Sequence, residues 1–160
     1  MALNFFKKKP ETKEEAVQYV PLKPIEYSSM VILAWAKAVE GNMDLQNWLR
    51  DNGYPELYMA IFAIYLKDES RKWLVDNGYA HLMAMIHAAE GNENAAKWLL
   101  ENNFVMLHHL AKAIDHEPKS WEWLQRNVSQ DLFILAKSIQ IVKDQIEENH
   151  NDVHSINQDY

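Results

Sequence analysis

The sequence predicts an all-α fold, an αα-hairpin repeat solenoid (superhelix) of about four and a half 25-residue units. Three observations predict it. The dipeptide Trp-Leu recurs at Trp48-Leu49, Trp73-Leu74, Trp98-Leu99 and Trp123-Leu124, 25 residues apart each time. An asparagine stands four residues after each Trp, at Asn52, Asn77, Asn102 and Asn127, followed by Gly53, Gly78, Asn103 and Val128. Two further columns keep the same register: Ile32, Leu57, Leu82, Leu107 and Leu132, and the small residues Ala38, Ala63, Ala88, Ala113 and Ser138. Apolar residues fall at helical spacing throughout, and no segment reads as a strand. A hairpin of this length cannot bury its own apolar stripe, so neighbouring units must stack and share one core.

Residues 1–27 precede the repeat as an extended, Pro- and Lys-containing arm. Pro10, Pro21 and Pro24 each remove a backbone donor and bias the preceding residue towards an extended conformation; a short helical stretch is expected at Lys13 to Val20. Phe5-Phe6 precedes Lys7-Lys8-Lys9 without an apolar run behind it, which is not the pattern of a secretory signal. The repeat domain is expected over 28–147. In its second unit, Pro55 suits the first position of helix A, where a missing N–H costs nothing. Leu57, Ile61 and Ile64 carry that helix to about Leu66. Asn42 and Asn92 suit the N-cap of helix B, and Pro118 suits its first residue. Helix B then presents Leu45, Trp48 and Leu49, or Ala95, Trp98 and Leu99, as one stripe. The Asn-Gly pair ends it, because a residue in the left-handed conformation just past a helix satisfies the last carbonyls. The Asn and Trp columns are therefore read as caps and inter-helix packing. The Ala column lets adjacent backbones approach closely. Ser129 opens a last, longer helix A that reads as the C-terminal cap of the solenoid, and a polar disordered tail is expected at 148–160.

Composition limits what the chain does. It holds 160 residues, with 48% hydrophobic and 24% charged, enough for one packed core. With Cys 0 there are no disulfides, thiolate metal sites or cysteine nucleophiles. A net charge of −7 argues against a dedicated nucleic-acid binder. No apolar stretch is long enough to cross a membrane, and the expected location is cytoplasmic.

The segment His87-Ala-Ala-Glu-Gly-Asn-Glu-Asn-Ala-Ala-Lys-Trp-Leu-Leu-Glu-Asn-Asn103 resembles the helix pair of an ankyrin repeat in its Ala-Ala pair, its inter-helix Gly and its Leu-Leu-Glu-Asn ending. The period is 25, not the ankyrin period of about 33, and the Thr-Pro-Leu-His turn is missing. The resemblance is thus to αα-hairpin repeats in general, and it implies a partner-binding scaffold.

On helix A, positions spaced i, i+4, i+7 read Leu33/Lys37/Glu40, Tyr58/Phe62/Tyr65, Met83/His87/Glu90, His108/Lys112/Asp115 and Phe133/Lys137/Gln140. Unit two carries three aromatic residues where its neighbours carry charges, the composition of an interface centre. Tyr58, Phe62 and Tyr65, extended by Met83 and His87, are the expected binding patch for a protein or peptide partner, unless the arm folds back over them. The alternative is a nucleic-acid-binding face of Lys37, Lys112 and Lys137, although Glu40, Glu90 and Asp115 stand one turn away to offset it. A metal-dependent enzyme would need convergent ligands. His108, His109 and His116 lack the His-Glu-x-x-His pattern, and His109 falls in a column otherwise apolar. No catalytic residue, metal or cofactor is expected.

Overall fold

The computed structural model describes residues 19–156, with side chains as far as Asn151. The chain is all-helical over these residues, with α1 (Ser29–Val39), α2 (Met43–Asp51), α3 (Pro55–Ile64), α4 (Asp68–Asp76), α5 (Ala80–Ala89), α6 (Glu93–Glu101), α7 (Val105–Ile114), α8 (Pro118–Asn127) and α9 (Gln130–Ile156). Successive helices pack in order as a repeat solenoid. The odd-numbered helices form an inner layer and α2, α4, α6 and α8 an outer one. The short helix expected at Lys13 to Val20 and the Phe5–Lys9 segment lie, apart from residues 19 and 20, outside the described residues.

The repeat columns act as their chemistry dictates. Asn52, Asn77, Asn102 and Asn127 each turn the side-chain amide back to the Trp carbonyl four residues earlier, at 2.8–2.9 Å. Gly53, Gly78 and Asn103 follow in the left-handed region, whereas Val128 is extended. Leu49, Leu74, Leu99 and Leu124 are fully buried, as is the small column from Ala38 to Ser138. Trp48, Trp73 and Trp98 stack on the aromatic residue six positions on, Tyr54, Tyr79 and Phe104, with centroids 5.8–6.1 Å apart. The fourth unit has Ser129 at that place, and Trp123 stacks instead on His109 at 4.1 Å. That explains a histidine in an apolar column: it supplies the ring its unit lacks. Burial, with a smaller push from His108, lowers the pKa of His109.

Inner helices end earlier than their apolar pattern suggests. Helix α3 stops at Ile64, not Leu66, because Leu66 adopts a left-handed φ of 66° and the Lys67 amide reaches back to the Phe62 carbonyl at 2.9 Å. Gly41, Gly91 and His116 occupy the same place in the other units. An L-residue there costs about 1–2 kcal/mol, and Gly's greater unfolded-state entropy returns part of it. Gly91→Leu is therefore expected to destabilise, and Leu66→Gly to stabilise, each by about 0.5–1 kcal/mol, read from urea unfolding midpoints. A loss on Leu66→Gly would mean that the side chain's contacts outweigh its backbone strain.

The solenoid also closes on itself. Helix α9 does not stand as a free cap: it lies along α1, the most extensive helix pairing in the molecule, and also contacts α7 and α8. Ser29 reaches buried Asp131 at the start of the two helices, and the Ser138 hydroxyl donates to Glu40 at the end of α1. The five inner helices thus form a ring. With no Gly or Pro to stop it, α9 continues past Glu147 to Ile156, so most of the stretch read as tail is helical. The hydrogen bond from Ser138, aided by Lys37, holds the Glu40 carboxyl below the usual range, and Ser129 followed by Ser29 does the same for Asp131. Both groups are harder to protonate folded than unfolded. Their stabilisation is complete above the ordinary carboxylate range and is lost as pH falls below about 4 through the lowered folded values. Ser138→Ala is expected to flatten this acid-side loss, measured as the urea midpoint against pH; an unchanged slope would leave Glu40 without a part in the closure.

The arm runs across the N-terminal ends of the inner helices. Tyr27 packs edge-on against Tyr54 and donates to buried Glu56 at 2.8 Å. The Lys23 amide donates to the Gly78 carbonyl at 2.9 Å, and the Lys23 carbonyl lies 2.8 Å from Nε2 of fully buried His81. Burial lowers the His81 pKa, so the neutral ring is the one that fits this place.

Candidate functional site

The expected patch sits on the outer side of the inner layer, away from the arm. Positions such as Tyr58, Phe62, His108 and Lys112 face the preceding outer helix, as the Lys112–Glu93 ion pair at 2.7 Å and the His108 contact to the Ala96 carbonyl at 3.0 Å show in unit four. Tyr58 and Phe62 meet edge to face at 4.9 Å, and the Arg50 guanidinium lies 5.7 Å from the Tyr58 ring. Both rings are half-buried. The Tyr65 hydroxyl is spent inside the fold, donating to the Val39 carbonyl at 2.9 Å.

Met83 and His87 lie on the next inner helix, in a different groove. Met83 is only 3% exposed and forms floor rather than surface; His87 is half-buried. Their groove, about 330 Å³, runs over α5 with Val75 of α4 on one side and Ala95 and Trp98 of α6 on the other. Phe62 lines a separate groove with Leu66 and the residues that open α4. The five residues thus do not form one patch: Met83 and His87 line the α5 groove and Phe62 the other, with Tyr58 packed against Phe62 and Tyr65 lining neither. The two grooves exist because the outer helices pack on inner helices instead of on one another. Among the residues the sequence did not single out, Val75, 44% exposed, is the most accessible apolar part of the α5 groove.

The cation face is engaged within the fold. Lys37 pairs with Glu40 at 3.2 Å, Lys112 with Glu93, and Lys137 sits 3.9 Å from the centre of the Trp121 ring. The three histidines turn to different partners. His108 meets Ala96, His109 meets Ser120 at 3.1 Å, and His116 meets Asp144 at 2.7 Å. Among the described residues no three His, Asp or Glu side chains gather as a metal site would need. No helix among them is long and apolar enough to cross a membrane.

A second concavity lies inside the ring. At its N-terminal end a cavity of about 220 Å³ is bounded by Trp35 of α1, Met85 of α5, Met106 and Leu110 of α7, Leu135 of α9 and Ile25 of the arm. Glu26 and Tyr27 also border it. Trp35 is 4% exposed, and its Nε1 is one of two buried side-chain nitrogens without a hydrogen-bond partner among the described residues, His81 Nδ1 being the other. This space leaves no mark in local pattern, since its walls come from columns that read as stacking surface and from a pairing of helices distant in the chain. No family model, curated protein or solved structure matches the chain.

Proposed function

We propose that this chain is a non-catalytic protein-interaction scaffold that takes an extended peptide segment into the grooves over α3 and α5, with Tyr58, Phe62, Met83 and His87 as contact residues and Tyr65 at their margin. The observation that supports it is the α5 groove. Its floor and walls are almost wholly apolar, yet it is open to solvent between two outer helices that leave each other free. Apolar side chains from a partner, spaced to reach two successive grooves, would bury both. Val75 and Phe62 can be changed without touching the ring core.

The test is affinity capture from cells that make the protein, comparing the wild type with Val75→Asp and with Phe62→Ala, each shown to be folded by circular dichroism. A peptide-binding scaffold retains a partner that Val75→Asp weakens at least tenfold, the size of effect expected at the centre of an interface. A partner held equally by wild type and both variants would remove the grooves from the reading.

A further inference from the structure

We propose that the junction between α9 and α1 receives a short amphipathic helix from a partner protein, with apolar residues at i, i+3 and i+4 and an acidic residue in its first turn. The site is separate from the grooves over α3 and α5 and does not rest on them. The junctions between successive inner helices are covered from outside by α2, α4, α6 and α8 in turn. Among the described residues no helix covers the closing junction, where α9 meets α1. One column registers the gap, because it faces the preceding outer helix: Tyr58 meets Arg50 of α2, His108 the Ala96 carbonyl of α6, and Phe133 the Trp121 ring of α8. Met83 faces Val75 of α4 across their groove. Leu33 holds this place in α1 and is 39% exposed. One turn on, Lys112 pairs with Glu93 of α6 and its side chain is 19% exposed, whereas that of Lys37 is 62% exposed and pairs with Glu40 of its own helix.

Exposed Met30 continues the apolar strip on α1, in the register of Ala80, which lines the α5 groove. From α9, Ile134 shares the column in which His109 stacks on Trp123 of the following outer helix, and exposed Ile141 stands two turns further on the same face. The stretch one repeat before α2 does not cover these residues. It contains Pro21 and Pro24, which a helix interior excludes, and it runs as the arm, tied to Gly78 and His81. The four covering helices show what fits. Each is nine or ten residues long and buries a Leu preceded by a Trp. Each runs antiparallel to the inner helices, so that Glu93 in the first turn of α6 meets Lys112 in the last turn of α7. A partner helix in the same orientation sets its first-turn carboxylate against Lys37, in the last turn of α1, while its own N-terminus favours that charge. This is the helix-in-groove mode of recognition, with Leu33, Met30 and Ile141 as the apolar floor.

The probe is a synthetic peptide of residues 92–103, the sequence of α6 with its caps, blocked at both ends. A lactam between the exposed side chains of Lys97 and Glu101 holds it helical. It is titrated into the full chain while the methionine methyl signals are followed by NMR. Saturable binding, one per chain, is expected to shift Met30 and to leave Met83 of the α5 groove unchanged. Leu33→Asp should weaken binding by about tenfold or more. Lys37→Glu should weaken it by about threefold, and a peptide carrying Glu93→Lys should recover that loss on this variant alone. Leu99→Asp in the peptide, which leaves the protein intact, should also weaken binding by about tenfold or more, so the reading stays testable if Leu33→Asp does not fold. Absence of saturable binding, or shifts at Met83 in place of Met30, would overturn the site. Equal affinity of the two peptides for Lys37→Glu would overturn the acidic residue. A Met30 methyl shielded from a soluble relaxation agent in the free chain, by residues 1–18 or by a second copy, would overturn the external partner.

Discussion

Leu135→Ala is expected to destabilise the protein by about 2–5 kcal/mol, towards the upper end of that range. Leu135 is 1% exposed on α9 and borders the central cavity, so truncation enlarges a space that its neighbours already fail to fill. Cavity cost rises with the volume that cannot collapse, and five helices that brace one another in a ring have little freedom to close in. The reach of the effect is more telling than its size. In a linear array each unit is coupled only to its neighbours, so damage in the last helix stops at α7 and α8. In the closed ring α1 is a neighbour too. Amide hydrogen exchange on the variant should therefore show α1, about a hundred residues upstream, losing protection together with α7. Protection of α1 at wild-type level would mean that the α1–α9 pairing contributes little, whatever its extent.

Closure also bears on where a partner can go. Open solenoids offer their concave side as a binding surface. Here that side is the core: Trp35, Met85, Leu110 and Leu135 meet across it. The surfaces left for a macromolecule are on the outside, where the outer helices stand apart over α3 and α5. The central space, about 220 Å³, is too small to admit one. The cavity is thus a consequence of closure, and it would not be expected of an open array of the same hairpins.

Local features were legible because local physics sets them. The interval between tryptophans, the Asn that caps each outer helix and the left-handed residue after it are all decided within a few positions of chain. Fully buried Leu49 and its equivalents followed from the same stripe. What could not be read was the contact between Ser138 and Glu40. Ser138 looked like one more member of the small-residue column, and nothing near it signals that its neighbour is the first inner helix. Likewise Tyr58, Phe62, Tyr65, Met83 and His87 occupy matching helical positions by spacing, yet three-dimensional stacking puts Phe62 in one groove and Met83 and His87 in another, and turns the Tyr65 hydroxyl inward. His109 was legible as a packed residue from its column, but its reason lay in a second column, where Ser129 replaces the ring that Trp123 needs.

Gly78→Ala and Gly53→Ala form a matched pair that isolates what the arm contributes. Both glycines follow the capping Asn of an outer helix, with φ of +93° and +91°. Both substitutions carry the same left-handed penalty, about 1–2 kcal/mol. At Gly53 an added Cβ meets nothing within 4 Å. At Gly78 it would stand 2.8 Å from the Pro21 carbonyl oxygen and 3.1 Å from the Lys23 side chain. The oxygen belongs to backbone, held by the hydrogen bond from the Lys23 amide to Gly78 itself and by the His81 contact. It cannot move aside without lifting the arm. Crowding of this kind adds about 1–3 kcal/mol, so Gly78→Ala should cost about 2–5 kcal/mol against about 1–2 for Gly53→Ala in urea unfolding. The Lys23 amide should lose its exchange protection only in Gly78→Ala. Equal costs, with Lys23 still protected in both, would mean that the arm yields freely and is not a structural part of the ring's N-terminal end. A larger loss at Gly78 would make the arm a structural part of the ring's N-terminal end, where Ile25 and Tyr27 border the cavity.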